Sequence, residues 1–152
     1  MELPDKIRTY IANGGKSLLD GYLRFLDEAS GKKFESIAQK LSDWQGGIPF
    51  AVTAFGDLLV WDGEYIIMYR FADAAVVVIL SGDTFFFENL QDKEYQKDFF
   101  DLPLYAAAKE KYGALADDES FTFVPVPALG GVKDVGHIEK GKTFEYLSLM
   151  LS

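Results

Sequence analysis

The apolar positions of this chain change period twice. Leu3, Ile7, Tyr10 and Ile11 recur at helical spacing, and Asn13-Gly14-Gly15 breaks the run. Ser17, with Asp20 three residues on, reads as a capping pair for a second helix that turns Leu18, Leu19, Tyr22, Leu23 and Leu26 inward. Ser30-Gly31 ends or bends that element. Phe34, Ile37, Ala38, Leu41 and Trp44 then form a third helical stripe, stopped by Gly46-Gly47. From Phe50 the period falls to two, with Phe50, Val52 and Ala54 alternating. Gly56-Asp57 predicts a turn, Leu58 to Trp61 a second strand, Asp62-Gly63 a hairpin turn and Tyr65 to Phe71 a third strand. The run Ala74 to Leu80 is apolar on both faces, which predicts a central place in the sheet.

Helical signals then return. Asp83 or Thr84 can cap Phe85 to Leu90, Asp92 a short piece through Tyr95, and Asp101 a helix over Leu102 to Tyr112 that Gly113 stops. Phe121 to Val126 and, more weakly, Val135 to Glu139 read as strands, and Thr143 to Leu151 as a closing amphipathic helix. Helices, then strands, then helices predict an α+β fold: N-terminal helices, a central antiparallel sheet of about four to six strands, and C-terminal helices packed on it. Residues 1–152 are expected to form a single domain, with 1–48 its helical N-terminal portion and 49–152 the sheet and C-terminal helices.

Composition supports a real core: 49% of the residues are hydrophobic, among them 13 Phe, 8 Tyr and 2 Trp. The absence of cysteine excludes disulfides, thiolate catalysis and cysteine-ligated zinc, and suits a reducing cytoplasm. No basic segment precedes an apolar one at the N-terminus, so a secretory signal is not expected. The longest near-apolar run, Ala74 to Leu80, is too short to span a bilayer. A formal charge of −9 repels phosphate backbones and anionic lipid and attracts basic partners. The basic residues are scattered, as at Lys32-Lys33, Lys109 with Lys111, and Lys140 with Lys142, so neither nucleic acid nor membrane is an expected partner.

Little in the chain points to catalysis. His137 is the only histidine, and no spacing selects Ser120 or Ser148 as a nucleophile for it. Asp117-Asp118-Glu119 lacks the alternating ligands and central glycine of an EF-hand loop, so it reads as a solvated acidic turn or a partner contact, and no metal or other cofactor is expected. Asp57, Asp62 and Glu64 flank the first hairpin, where acidic residues are common because Asp bonds its own backbone. The pairs Gly14-Gly15, Gly46-Gly47 and Gly130-Gly131 form no phosphate-binding fingerprint. Trp61, Tyr65, Tyr69 and Phe85-Phe86-Phe87 supply aromatic surface. Three consecutive Phe on a helix cannot all face one core.

Two stretches carry a family resemblance. The first is Ala54-Phe55-Gly56-Asp57-Leu58-Leu59-Val60-Trp61-Asp62-Gly63. The second is Gly113 and Leu115, then Glu119, Phe123, Pro125 and Ala128-Leu129-Gly130-Gly131. Together with a final strand and helix over Val135 to Leu151, they resemble the C-terminal domain of the immunity proteins paired with type VI secretion DNase effectors, the Tdi type, with a shortened GAD-like N-terminal region. Gly56, Gly113, Leu115, Phe123, Pro125, Gly130 and Gly131 are the motif positions, and they look like makers of the fold rather than contacts. The resemblance implies a cytoplasmic, non-enzymatic protein that binds and neutralises a cognate toxin, a basic nuclease. Asp57, Trp61, Asp62, Glu64, Asp117, Asp118 and Glu119 are the expected toxin contacts, because an acidic inhibitor is steered to a basic phosphate-handling cleft. The alternative is a small-molecule-binding or regulatory module of the SMI1/KNR4 type, which would show an apolar pocket with convergent polar groups.

Overall fold

A computed structural model describes residues 1–151. The elements run α1 (Asp5–Ala12), β1 (Ser17–Leu18), β2 (Leu23–Phe25), α2 (Glu28–Ala38), β3 (Ile48–Thr53), β4 (Leu58–Trp61), β5 (Tyr65–Arg70), β6 (Ala75–Ser81), α3 (Phe86–Leu90), α4 (Lys93–Phe99), α5 (Leu102–Tyr112), β7 (Glu119–Phe123), β8 (Ile138–Lys142) and α6 (Thr143–Met150). The fold is α+β. Six antiparallel strands lie in sequence order β1-β2-β3-β4-β5-β6, and β7 and β8 form a separate two-stranded sheet.

Alternation along β4 and β5 feeds two cores. Leu59 and Trp61 of β4, with Ile66 and Met68 of β5, point to one face of the sheet. There they meet Ile7 of α1, Phe86 and Leu90 of α3, Tyr105 and Ala108 of α5, and Phe121, Phe123 and Ile138 of the small sheet. Leu58, Val60, Ile67 and Tyr69 point the other way, onto Phe34, Ile37 and Ala38 of α2 and Leu147 of α6. Because both faces are covered, β4 is buried at all four positions. Gly31 sits inside α2 where the helix crosses β3, and a Cβ there would lie 3.0 Å from the Pro49 carbonyl oxygen. Asp27 caps α2 by accepting from the Ser30 N–H at 2.7 Å, and Asp92 caps α4 by accepting from the Tyr95 N–H at 2.9 Å.

Four elements differ from the sequence expectation. The stretch from Ser17 to Leu26 is the β1–β2 hairpin, not a helix: Leu19, Asp20 and Gly21 all take positive φ, and Asp20-Gly21 is the turn. That stretch pairs with β3, Leu23 opposite Thr53, and tertiary pairing overrides its helical spacing. Ser30-Gly31 lies within α2, which ends at Ala38, short of Trp44. Val135–His137 is a 3₁₀ turn, and the strand follows it over Ile138–Lys142. The largest difference is β6. It is the sheet's edge, not its centre, and Val76 and Val78 are 45% and 52% exposed. Phe85 is the member of the Phe triplet that lies off the core, whereas Phe86 is fully buried.

Candidate functional site

The expected contacts divide by where the β3–β4 hairpin puts them. At one end, Thr53 builds the turn that holds Asp57. The Thr53 hydroxyl donates to the Asp57 carboxylate at 2.9 Å and accepts from the backbone N–H groups of Phe55 and Asp57. Gly56 completes the turn at φ +83, where a Cβ would lie 3.3 Å from the Tyr146 ring. Asp57 is therefore buried and turned inward, and burial pushes its carboxyl above the ordinary carboxylate range, against the pull of Arg70. It borders a polar void of about 30 Å³ shared with Arg70, Asp73, Asp101 and Lys133, enough for about one water molecule. At the other end of β4, Trp61 is buried in the core. Asp62 accepts from the N–H groups of Glu64 and Tyr65, which fixes the hairpin turn, and Glu64 is exposed. Four strand residues, roughly 13 Å, separate the two ends.

The acidic turn Asp117-Asp118-Glu119 lies at the Thr53 end, on an open cleft of about 530 Å³ between the β1–β2 hairpin, α5 and the segment leading into β7. Asp20, Asp27, Asp117 and Asp118 line it, with Lys16, Arg24 and Lys109. Several of these charges already have internal partners. Lys142 pairs with Asp118 at 2.9 Å and holds its carboxyl below the usual range. Lys109 pairs with Asp20 at 3.0 Å, and Glu119 accepts from the Ala116 N–H at 2.8 Å. Asp117 is exposed and has no side-chain partner among the described residues, so it is the carboxylate of the turn most available to a basic visitor.

Arg24 underlies this cleft, and sequence reasoning passed over it. Its Nη2 donates to the Thr53 carbonyl at 3.0 Å and the Ser120 hydroxyl at 3.1 Å, and its Nη1 donates to the Glu119 carbonyl. Ser120 Oγ in turn lies 2.6 Å from Thr143 Oγ1 at the start of α6. The guanidinium thus ties β2, β3 and β7 together and reaches α6 through Ser120, with no carboxylate in contact among the described residues. Burial pulls its pKa below the ordinary value, and the nearby Tyr105, Asp117, Asp118 and Glu119 oppose that pull. The acidic turn therefore serves partly as a counter-charge for a buried cation. The signal in the sequence was a lone arginine among Tyr22, Leu23, Phe25 and Leu26.

The structure does not bring His137 and Ser120 together in register. His137 Nδ1 lies 2.6 Å from Asp134, but β7–β8 pairing sets Ser120 opposite Gly141, four residues along from His137. Among the described residues, no group of three or more His, Asp or Glu could hold a metal ion. Among the described residues, no helix is long and apolar enough to cross a membrane.

The motif positions shape the backbone. Gly113 ends α5, and Leu115 packs partly buried on the core. Phe123 stacks on Phe55 with ring centroids 5.4 Å apart. Pro125 follows a cis bond, and Gly130 adopts a left-handed conformation. Gly131 passes so close to the Pro125 carbonyl that a Cβ would lie 1.8 Å from its oxygen, so only glycine fits.

Comparison with known proteins places these features. The fold is α+β, and residues 82–152 are similar to the family model "T6SS immunity protein Tdi1, C-terminal". The match begins at the residue after β6. The Gly113 to Gly131 motif lies inside the match, and the Ala54 to Gly63 stretch lies outside it. No curated protein matches the chain. The solved structure described as "Crystal structure of Atu4351 from Agrobacterium tumefaciens" is similar in fold, with a TM-score of 0.75 at 16% identity. The likeness covers 98% of this chain and 75% of that one.

Proposed function

We propose that this protein is a cytoplasmic immunity protein that binds and neutralises a cognate antibacterial toxin, a basic nuclease delivered by type VI secretion. The observation that carries the reading is the match of residues 82–152 to an immunity-protein family. Charge supports the choice of toxin. A nuclease holds phosphates in a basic cleft, and an inhibitor of formal charge −9 is drawn to it quickly. Exposed Glu64 and Asp117, with Asp62 and Asp118, are the carboxylates placed to act in that capture. Asp57 and Trp61 face inward and support the hairpin that carries them.

The test is co-purification and growth rescue with the toxin encoded beside this gene. Tight complex formation together with rescue is the expected result. A folded protein that neither binds nor rescues would overturn the proposal.

A further inference from the structure

We propose that the open edge of β6, over Ala75–Val78, is a docking site for an extended basic segment of the toxin, which joins the sheet as a seventh strand. The inference rests on the immunity reading and assigns it a surface that none of the acidic residues above supplies.

The edge is open by geometry. β6 pairs with β5 on one side only, and alternate residues along a strand turn their N–H and C=O groups to the other side. Among the described residues, no turn, loop or cap backbone bond reaches Ala75–Val78. Beyond Val78 the edge closes. The register shifts opposite Ile66 and Ile67, and the Tyr95 hydroxyl donates to the Ile79 carbonyl at 2.6 Å.

The edge is also undefended. Proteins blunt such edges with lysine, proline, a bulge or a covering element. Ala75–Leu80 holds no charge and no proline, and its irregularity falls past the open stretch. Val76 and Val78 share one face and stand exposed. Val76 is also in the wall of a groove of about 670 Å³ with Tyr69, Ala128, Leu129 and Leu151. Leu129, at the rim, is 81% exposed, on a loop fixed by the Ala128 N–H donating to the Ala72 carbonyl and by the close approach at Gly131.

These features specify the occupant. A helix satisfies its own backbone, so only an extended segment can use the free donors and acceptors while its alternate side chains pack on Val76 and Val78. Asp83 follows the edge, whereas Asp73, which precedes it, is paired with Lys133 at 2.5 Å. Two copies of this chain would bring together bodies that each carry a formal charge of −9. A strand carrying lysine or arginine meets attraction from that same net charge, with Asp83 at one end of the edge.

Hydrogen exchange on the complex with the neighbouring toxin tests this, together with the double variant Val76→Lys/Val78→Lys. Lysine at these exposed positions leaves the fold intact, checked by an unchanged melting profile. The proposal expects exchange across 75–78 to slow by about tenfold or more on binding. It expects the double variant to bind at least roughly thirtyfold more weakly. A wild-type complex with unchanged exchange in β6, or a double variant that binds as wild type does, overturns the edge proposal and leaves the immunity reading standing. No complex with wild type overturns the immunity reading itself. A wild-type dimer that the double variant converts to monomer also overturns the proposal, in favour of a second copy at the edge.

Discussion

β4 and β6 have similar sequences and opposite environments. Leu58-Leu59-Val60-Trp61 and Ala75-Val76-Val77-Val78-Ile79-Leu80 are both continuous apolar runs. In β4 every side chain is buried, because α1, α3 and α5 cover one face of the sheet and α2 and α6 the other. In β6 the face shared by Val77 and Ile79 reaches the core, whereas Val76 and Val78 project beyond the cover of α2 and α6. An apolar run therefore reports that a strand has something to bury, not that this chain buries it. Where an edge keeps such a run without a charge to guard it, the missing cover is best sought in a partner.

The comparison can be broken most directly by truncation. Leu59→Ala should cost about 3–4 kcal/mol in urea unfolding, the scale of a large-to-small change in a closed core, whereas Val78→Thr should stay within about 0.5 kcal/mol. Equal losses would mean that the edge is as well packed as the centre. The next largest effect is expected at the buried arginine. Arg24→Met removes the donors to the Glu119 carbonyl and the Ser120 hydroxyl and one of two donors to the Thr53 carbonyl, and should cost about 2 kcal/mol. Arg8→Ala, which removes an exposed pair with Glu2 and Asp5, should cost less than about 1 kcal/mol by the same measurement.

Asp57 sharpens the contrast between inward and outward carboxylates. Its folded-state pKa is raised by burial, so the charged form opposes folding at neutral pH, and that opposition is relieved as pH falls through the folded pKa. Asp57→Asn keeps an oxygen to accept from Thr53 and should raise the melting temperature at pH 7 by a few degrees. The gain should vanish at about pH 3, below the ordinary aspartate value. Melting curves across that range decide it, and a gain that grows with acidity would contradict the sign. The smallest effect is kinetic. Asp117→Asn should slow toxin association by about threefold at low ionic strength and leave it unchanged in high salt. Stopped-flow association at two salt concentrations measures this, and an on-rate indifferent to salt would remove Asp117 from the encounter surface.

Much of the architecture was legible because local chemistry and tertiary position agree there. Leu58 to Trp61 was bounded correctly by Gly56-Asp57 and Asp62-Gly63. The helix from Leu102 to Tyr112 was framed by Asp101 and Gly113, although the Asp101 side chain makes no capping bond. Legibility failed where a distant strand outbid local periodicity. Leu18, Leu19, Tyr22 and Leu23 keep helical spacing, yet pairing with β3 and a left-handed turn at Asp20-Gly21 make that stretch a hairpin. The candidate site was half legible. Acidity and turn position single out loops that the fold does build as turns, but nothing local separates the buried Asp57 from the exposed Asp117. That difference depends on a hydroxyl at Thr53 and on covering elements far along the chain.

The sequence by itself determined the α+β class, the turns that glycine and aspartate enforce, the net negative charge and the motif whose Gly131 admits no side chain. These follow from backbone sterics, alternation and formal charge, which act over a few residues or need no geometry. Only the tertiary structure decided that the apolar run after Asp73 is an edge and that Arg24 is a buried staple. It also decided that the acidic turn balances that cation as well as facing solvent. Each of these depends on which elements meet across the fold, and burial is a property of that meeting rather than of any residue.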